Sequence, residues 1–263
     1  MIVHNFDPVL FDFGVLQIRW YSIAYIFGIL FGWIYVNQLI KKRYTLIKTS
    51  DFDDLIVYLI FGIVVGGRLG YVIFYNPDYY SENLFEILKI WKGGMSFHGG
   101  LLGVIIATSI FSKIKNVNFF NLSDLISCAA PIGIFLGRIA NFINGELYGK
   151  ISSLPWAVVF PNGGHVGRHP SQIYEALLEG LLLFIIINYF VIRKKLLLNK
   201  GIISSIFLVW YSILRIFSET FREPDDHLGY FLNYFSMGNI LSLITLFFGL
   251  VMIYYMKKNE QNN

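Results

Sequence analysis

The sequence predicts an all-α integral membrane protein with seven transmembrane helices, and three observations carry that prediction. Of its 263 residues, 56% are hydrophobic and only 14% charged, with a mean hydropathy of +0.58. An ordinary soluble domain carries about 25% charged residues. Seven apolar runs stand out, at about 15–40, 53–75, 95–113, 121–142, 171–192, 201–221 and 237–256. Each holds the roughly 20 residues a membrane-spanning helix needs, with room for tilt. The lysines and arginines gather in short clusters after alternate runs, which is a topology signal. We read residues 1–263 as a single transmembrane domain.

Taken in order, the elements fix an orientation. Met1 to Gly14 contains no Lys or Arg, so it lacks the basic region of a signal peptide, and the run after it is long enough to stay in the membrane. Lys41, Lys42, Arg43 and Lys48 follow the first run, Lys113 and Lys115 the third, Arg193, Lys194, Lys195 and Lys200 the fifth, and Lys257 and Lys258 the seventh. They outnumber Lys89, Lys92, Lys150, Arg168 and Arg222 on the other side, which places the N-terminus outside and the C-terminus in the cytoplasm. Glycines four apart mark close helix contacts: Gly62, Gly66 and Gly70, then Gly99 and Gly103, then Gly133 and Gly137. Residues 83–92 place Asn83, Glu86, Lys89 and Lys92 three apart among apolar residues, a pattern for a short helix in the outer interface. In the longest loop, 143–170, Trp156 to Phe160 reads as a strand and Asn162-Gly163-Gly164 as a turn, predicting a small extracytoplasmic β element.

Four arginines fall inside or at the ends of the apolar runs: Arg19, Arg68, Arg138 and Arg215. An arginine at membrane depth costs about 3 kcal/mol even on the lenient insertion scale, so each needs a partner or a task. With this topology Arg68, Arg138, Arg215 and His98 lie within roughly 10 Å of the outer boundary, at 1.5 Å per residue. Glu146, Glu175 and Glu219 fall in or beside the same layer. Fixed positive charge at one depth points to an anionic ligand, and the guanidinium fork suits phosphate. The plainer reading pairs Arg215 with Glu219 four residues on, and folds Glu146 back onto Arg138. Arg68 contacts either ligand or a structural partner. Arg19, at a helix end, snorkels. His98, flanked by Gly99 and Gly100, is a candidate general base. Tyr21 and Tyr211 are hydrogen-bond donors for a lipid headgroup or ordinary interfacial aromatics. His165 and His169 are four apart, but no carboxylate or cysteine completes a metal set. Cys128 is a packing residue.

The segment Gly137 to Gly149, GRIANFINGELYG, resembles the signature of the bacterial prolipoprotein diacylglyceryl transferases. Ser96-Phe97-His98-Gly99-Gly100, His169-Pro170-Ser171-Gln172-Ile173-Tyr174-Glu175, Tyr211 to Glu219 with Arg222-Glu223-Pro224, Trp20-Tyr21, and Gly67-Arg68-Leu69-Gly70-Tyr71 fit the same family. The resemblance implies an enzyme of the bacterial cytoplasmic (inner) membrane, its active site toward the outer leaflet. It would move the diacylglyceryl group of phosphatidylglycerol onto the lipobox cysteine of a prolipoprotein, forming a thioether and releasing glycerol phosphate. It makes Arg138 and Arg215 the leading functional residues, with His98, Tyr21, Asn141, Glu146, Gly149 and Glu219 at the other matched positions.

No Walker pattern appears, and the donor lipid already carries its leaving group, so we expect no cofactor, no metal and no nucleic-acid partner. A transporter of anionic lipid would use the same arginines, but the basic layer lies near one face and no inverted pair of broken helices is visible. An intramembrane protease would need a Gly-x-Ser-x-Gly or paired-aspartate motif, which the sequence lacks. A pure scaffold leaves the charged layer unexplained.

Overall fold

The computed structural model describes residues 2–14, 17–224, 230–231 and 235–261. Its helices are α1 (Trp20–Lys41), α2 (Thr49–Phe74), α3 (Pro77–Glu82), α4 (Phe97–Lys115), α5 (Phe119–Asn144), α6 (Ser171–Glu175), α7 (Leu183–Asn188), α8 (Ile202–Glu219) and α9 (Met237–Gln261). A π-helical stretch, Ala176–Leu182, carries α6 into α7, and another, Tyr189–Arg193, follows α7. The resulting Ser171–Arg193 rod is one of seven stretches among the described residues that are long and apolar enough to cross a membrane. All seven overlap the runs read from the sequence.

Three departures from that reading have local causes. The first helix begins at Trp20, not at residue 15, because β2 (Val9–Asp12) and β3 (Gln17–Arg19) form an antiparallel pair. Hydropathy alone does not separate a short apolar strand from a helix end. Arg19 closes that strand and is exposed, in keeping with a surface role. Residues 83–92 form no α-helix. They make two 3-10 segments, Leu84–Leu88 and Ile90–Lys92, and the spacing of three matches the three residues per turn of that helix. In the long loop, the predicted strand shrinks to β4 (Val158–Val159), paired in parallel with β1 (Ile2–Val3).

The chain packs as two compact units, one of Thr45–Ser123 and one of Met1–Tyr44 with Asp124–Asn263. In the first unit α2 and α4 are antiparallel, with Gly62 against Gly103 and Gly70 against Gly99. A methyl added at Gly62 would lie 2.6 Å from the Gly103 carbonyl oxygen, so contact alone demands glycine there. An apolar groove of about 670 Å³ runs beside the seam, lined by Phe61, Val65, Leu69, Leu102 and Ile106 among others.

In the second unit α1 lies antiparallel to α5, with Gly28 facing Gly133 and Gly32 facing Ala129. Gly180 packs on Phe135, which brings the fifth span against α5. Asp124 is fully buried near the start of α5. Its carboxylate accepts from the Gly201 and Ser204 amides, both at 2.7 Å, and from Ser204 Oγ at 2.6 Å. A side chain from α5 thus satisfies the orphan amides at the N-terminus of α8. Cys128, one turn further along α5, is completely buried.

Candidate active site

Five charged side chains from three membrane-spanning elements meet in the second unit. α5 contributes Arg138, the fifth span Glu175 and Glu179, and α8 Arg215 and Glu219. Arg138 Nε lies 3.0 Å and Arg215 Nη1 2.7 Å from the same oxygen, Glu175 Oε2. Glu179 bridges the pair again, with Oε2 3.3 Å from Arg138 Nη2 and Oε1 3.2 Å from Arg215 Nη1. Arg215 Nη2 contacts Glu219 Oε2 at 2.7 Å, the predicted pairing of residues four apart. Arg222, just past α8, is 3.5 Å from Glu175 Oε2. Three guanidiniums therefore balance three carboxylates.

Balance is what permits burial. The Glu175, Glu179 and Glu219 side chains are 1%, 0% and 5% exposed. An unpaired charge at such a place would be prohibitive. Ser218 Oγ donates to Glu179 Oε1 at 2.6 Å and Ser236 Oγ to Glu219 Oε1 at 2.7 Å, adding neutral donors. Glu179 lies in the first π-helical stretch, and such segments recur at functional sites.

The cluster is not closed on every side. Arg138 is the most accessible of the arginines, with 19% of its side chain exposed against 10% for Arg215. Its Nη1 has no acceptor among the described residues. Glu175 Oε1 and the nearby Gln172 Oε1 are buried acceptors without a hydrogen-bond donor among those residues. The arrangement thus offers free cationic N–H groups beside unmet acceptors, which fits a ligand that carries an anion and hydroxyls together.

The other sequence-selected residues of this unit fall nearby in the chain with distinct tasks. Glu146 does not fold back onto Arg138. Its Oε1 accepts from Asn141 Nδ2 at 2.7 Å and from Asn144 Nδ2 at 3.3 Å, since the left-handed Gly145 and Leu147 on either side turn the chain sharply. Gly149 donates its amide to His169 O at 2.9 Å and bridges Arg222. A methyl there would meet Phe221 O and His169 Cβ at 2.5 and 2.7 Å. Tyr211 lies one turn before Arg215 and stacks on Phe207 at 5.8 Å. Tyr21 opens α1, its ring 5.2 Å from Tyr25. His169 sits at the mouth of the fifth span beside Tyr174 and Phe221. Partial burial, and secondarily Lys150, lower its pKa from the usual histidine value.

Arg68 and His98 belong to the other unit. Arg68 is buried, and its guanidinium donates to five backbone carbonyls: Ile87 at 2.8 Å, Gly93 at 2.6 Å, Gly94 at 3.1 Å, Glu86 at 2.6 Å and Lys89 at 3.4 Å. It also lies 5.1 Å over the Tyr80 ring. Every guanidinium nitrogen is engaged, which is the structural alternative for this residue, not the ligand contact. His98 is exposed in the first turn of α4, whose cap is Ser96 Oγ accepting from Gly99 N. Glu179 was missed in the sequence, where no motif marks it. Its signal was an ionisable group four residues after Glu175 inside an apolar run, a place where a charge requires partners.

Comparison with known proteins shows the family. A family model described as prolipoprotein diacylglyceryl transferase matches residues 8–255. A phosphatidylglycerol–prolipoprotein diacylglyceryl transferase of Rickettsia felis is 49% identical over 253 residues, covering 96% of this chain and 98% of that protein. Proteins with the same name from Rickettsia bellii and Rickettsia canadensis are 48% and 49% identical, covering 96% and 95% of this chain and 96% of each relative. The chain belongs to the prolipoprotein diacylglyceryl transferase family.

Proposed function

We propose that this protein transfers the diacylglyceryl group of phosphatidylglycerol to the lipobox cysteine of a prolipoprotein, the first step of bacterial lipoprotein maturation. One observation carries the site assignment: Arg138 and Arg215 converge on a single carboxylate oxygen, with open donors left on Arg138. In this reading the lipid phosphate docks on Arg138, with Arg215 behind it, and the headgroup hydroxyls supply donors to Glu175 Oε1 and Gln172 Oε1.

The chemistry asks for what this cluster has. The acceptor thiol loses its proton, its sulfur attacks a saturated glycerol carbon, and the carbon–oxygen bond to phosphate breaks. A diester with one negative charge leaves as a monoester approaching two. Fixed cations stabilise that growing charge more than the ground state. The poorly screened surroundings strengthen the effect. We assign the thiol proton to His98, an exposed imidazole flanked by Gly99 and Gly100. Asn141, Glu146, Gly149, Tyr21, Tyr211 and Glu219 shape the pocket around the headgroup. The enzyme would work in the cytoplasmic membrane with this pocket toward the outer leaflet, and it needs no cofactor or metal.

The test mixes purified protein, phosphatidylglycerol and a lipobox peptide, and weighs the peptide. A gain of one diacylglyceryl unit is expected, lost in Arg138→Gln. A translocated but chemically unchanged lipid would instead identify a transporter. His98→Gln should lower the rate by about a hundredfold; a near-normal rate would exclude His98 as the base.

A further inference from the structure

A second cavity, this one cationic, lies in the same unit as the arginine–glutamate cluster, at the C-terminal end of α1. It measures about 270 Å³ and is lined by Lys42, Arg43, Tyr44, Lys195 and Leu198. Lys42 to Tyr44 follow α1, and Lys195 and Leu198 follow the fifth span. Tyr35 Oη donates to Asn188 Oδ1 at 2.8 Å and ties those two elements together. Among the described residues no carboxylate pairs with Lys42, Arg43 or Lys195, and no hydrogen bond engages their side chains. Three cations thus line one hollow with no counter-ion among the described residues.

The backbone at this site is unusual in the same two cations. Arg43 has φ 57° and Lys195 φ 55°. Arg43 closes α1, with its amide donating to Ile40 O and the Tyr44 amide to Leu39 O, a helix ending in which glycine is the ordinary residue. Putting arginine and lysine there accepts a steric cost that glycine would avoid. Both residues line the hollow.

Depth identifies the ligand. α1 and α5 are antiparallel and cross where Gly28 meets Gly133. From Gly28 to Lys42, and in the opposite sense from Gly133 to Arg138, the two helices together span roughly 28 Å at 1.5 Å per residue. The hydrocarbon core of a bilayer is about 30 Å thick. If Arg138 lies at the phosphate level of one leaflet, the second cavity lies at the phosphate level of the other. Basic pockets between membrane helices at that level suit anionic headgroups.

We propose that Lys42, Arg43 and Lys195 form a binding site for the phosphate headgroup of an anionic lipid in the leaflet opposite the active site. The lipid phosphate supplies the missing counter-ion, and its acyl chains run along the end of α1. This site is independent of the transfer reaction.

The test uses full-length protein carrying Arg138→Gln, so that the first phosphate site is disabled. It is placed in phosphatidylcholine nanodiscs with a trace of fluorescent phosphatidic acid, and a fluorescent phosphatidylcholine serves as the neutral control. The expected result is enrichment of the anionic probe at the protein. Adding Lys42→Gln, Arg43→Gly and Lys195→Gly should weaken that binding on the order of a hundredfold, since each cation near an anionic surface contributes about fivefold. The two glycines suit the left-handed backbone, so loss of fold does not confound the result. Equal enrichment with and without the three substitutions overturns the proposal. So does full competition by inorganic phosphate at concentrations matched to the probe, which would mark a site for free phosphate.

Discussion

Glutamine at position 179 keeps the shape of glutamate and removes one charge from a balanced cluster. In the native site Glu179 Oε1 receives Ser218 Oγ at 2.6 Å and Arg215 Nη1 at 3.2 Å, while Oε2 faces Arg138 Nη2 at 3.3 Å. An amide has only one oxygen. Whichever way it turns, its NH2 group points at an arginine that also donates, and one charge-assisted contact becomes a repulsion. Hydrogen bonds to charged groups contribute about 1.5–3 kcal/mol, and the buried excess of positive charge adds to the loss. We expect Glu179→Gln to destabilise the protein by about 2–4 kcal/mol. At about 2–4 °C per kcal/mol for a chain near this size, the apparent melting temperature in detergent should drop by roughly 5–15 °C. Intrinsic fluorescence on heating is the assay. Because Arg138 is the partner stranded by the change, Glu179→Gln with Arg138→Gln should cost at least about 1 kcal/mol less than the two single effects added. An unchanged melting temperature, or strict additivity, would refute the view that Glu179 holds the arginine pair.

Other consequences are as direct. Arg68→Gln should free the segment from Glu86 to Gly94, since five carbonyls lose their donor, and limited proteolysis should cut there at least tenfold faster. Gly62→Ala should lower thermal stability by several degrees because its methyl meets the Gly103 carbonyl, whereas Gly133→Ala, with nothing within 4 Å of its methyl, should not. The lowered pKa of His169 means that folding favours its neutral form. Its contribution is therefore present above the usual histidine range, near pH 6.5, and is lost as pH falls through the lower folded value. A melting-temperature series from pH 8 to 5 should decline less steeply in His169→Gln.

The sequence showed the spans because hydropathy integrates over about twenty residues, and all seven appear in the structure. Short elements were less legible. Val9–Asp12 and Gln17–Arg19 pair as strands beside an apolar run, and nothing in hydropathy alone marks that boundary. In the cluster, Arg215 and Glu219 were readable because they share a helix face at a fixed spacing. The bridging of Arg138 and Arg215 by Glu175 and Glu179 was not, because it depends on how three separate spans pack and on π-helical turns that no local pattern announces. Arg68 shows the limit from the other side. An isolated intramembrane cation looks like a ligand contact until the backbone carbonyls of a distant segment are seen around it.

Cys128 gives the enzymologist a clean background. The chain has one sulfhydryl, sealed within α5 about 15 Å along the helix from Arg138. An enzyme that alkylates sulfur therefore keeps its own out of reach. Maleimides and other soft electrophiles added to a reaction will report the acceptor peptide alone. Single cysteines introduced at surface positions will be the sole labelled sites, so the native chain can serve as its own reporter scaffold.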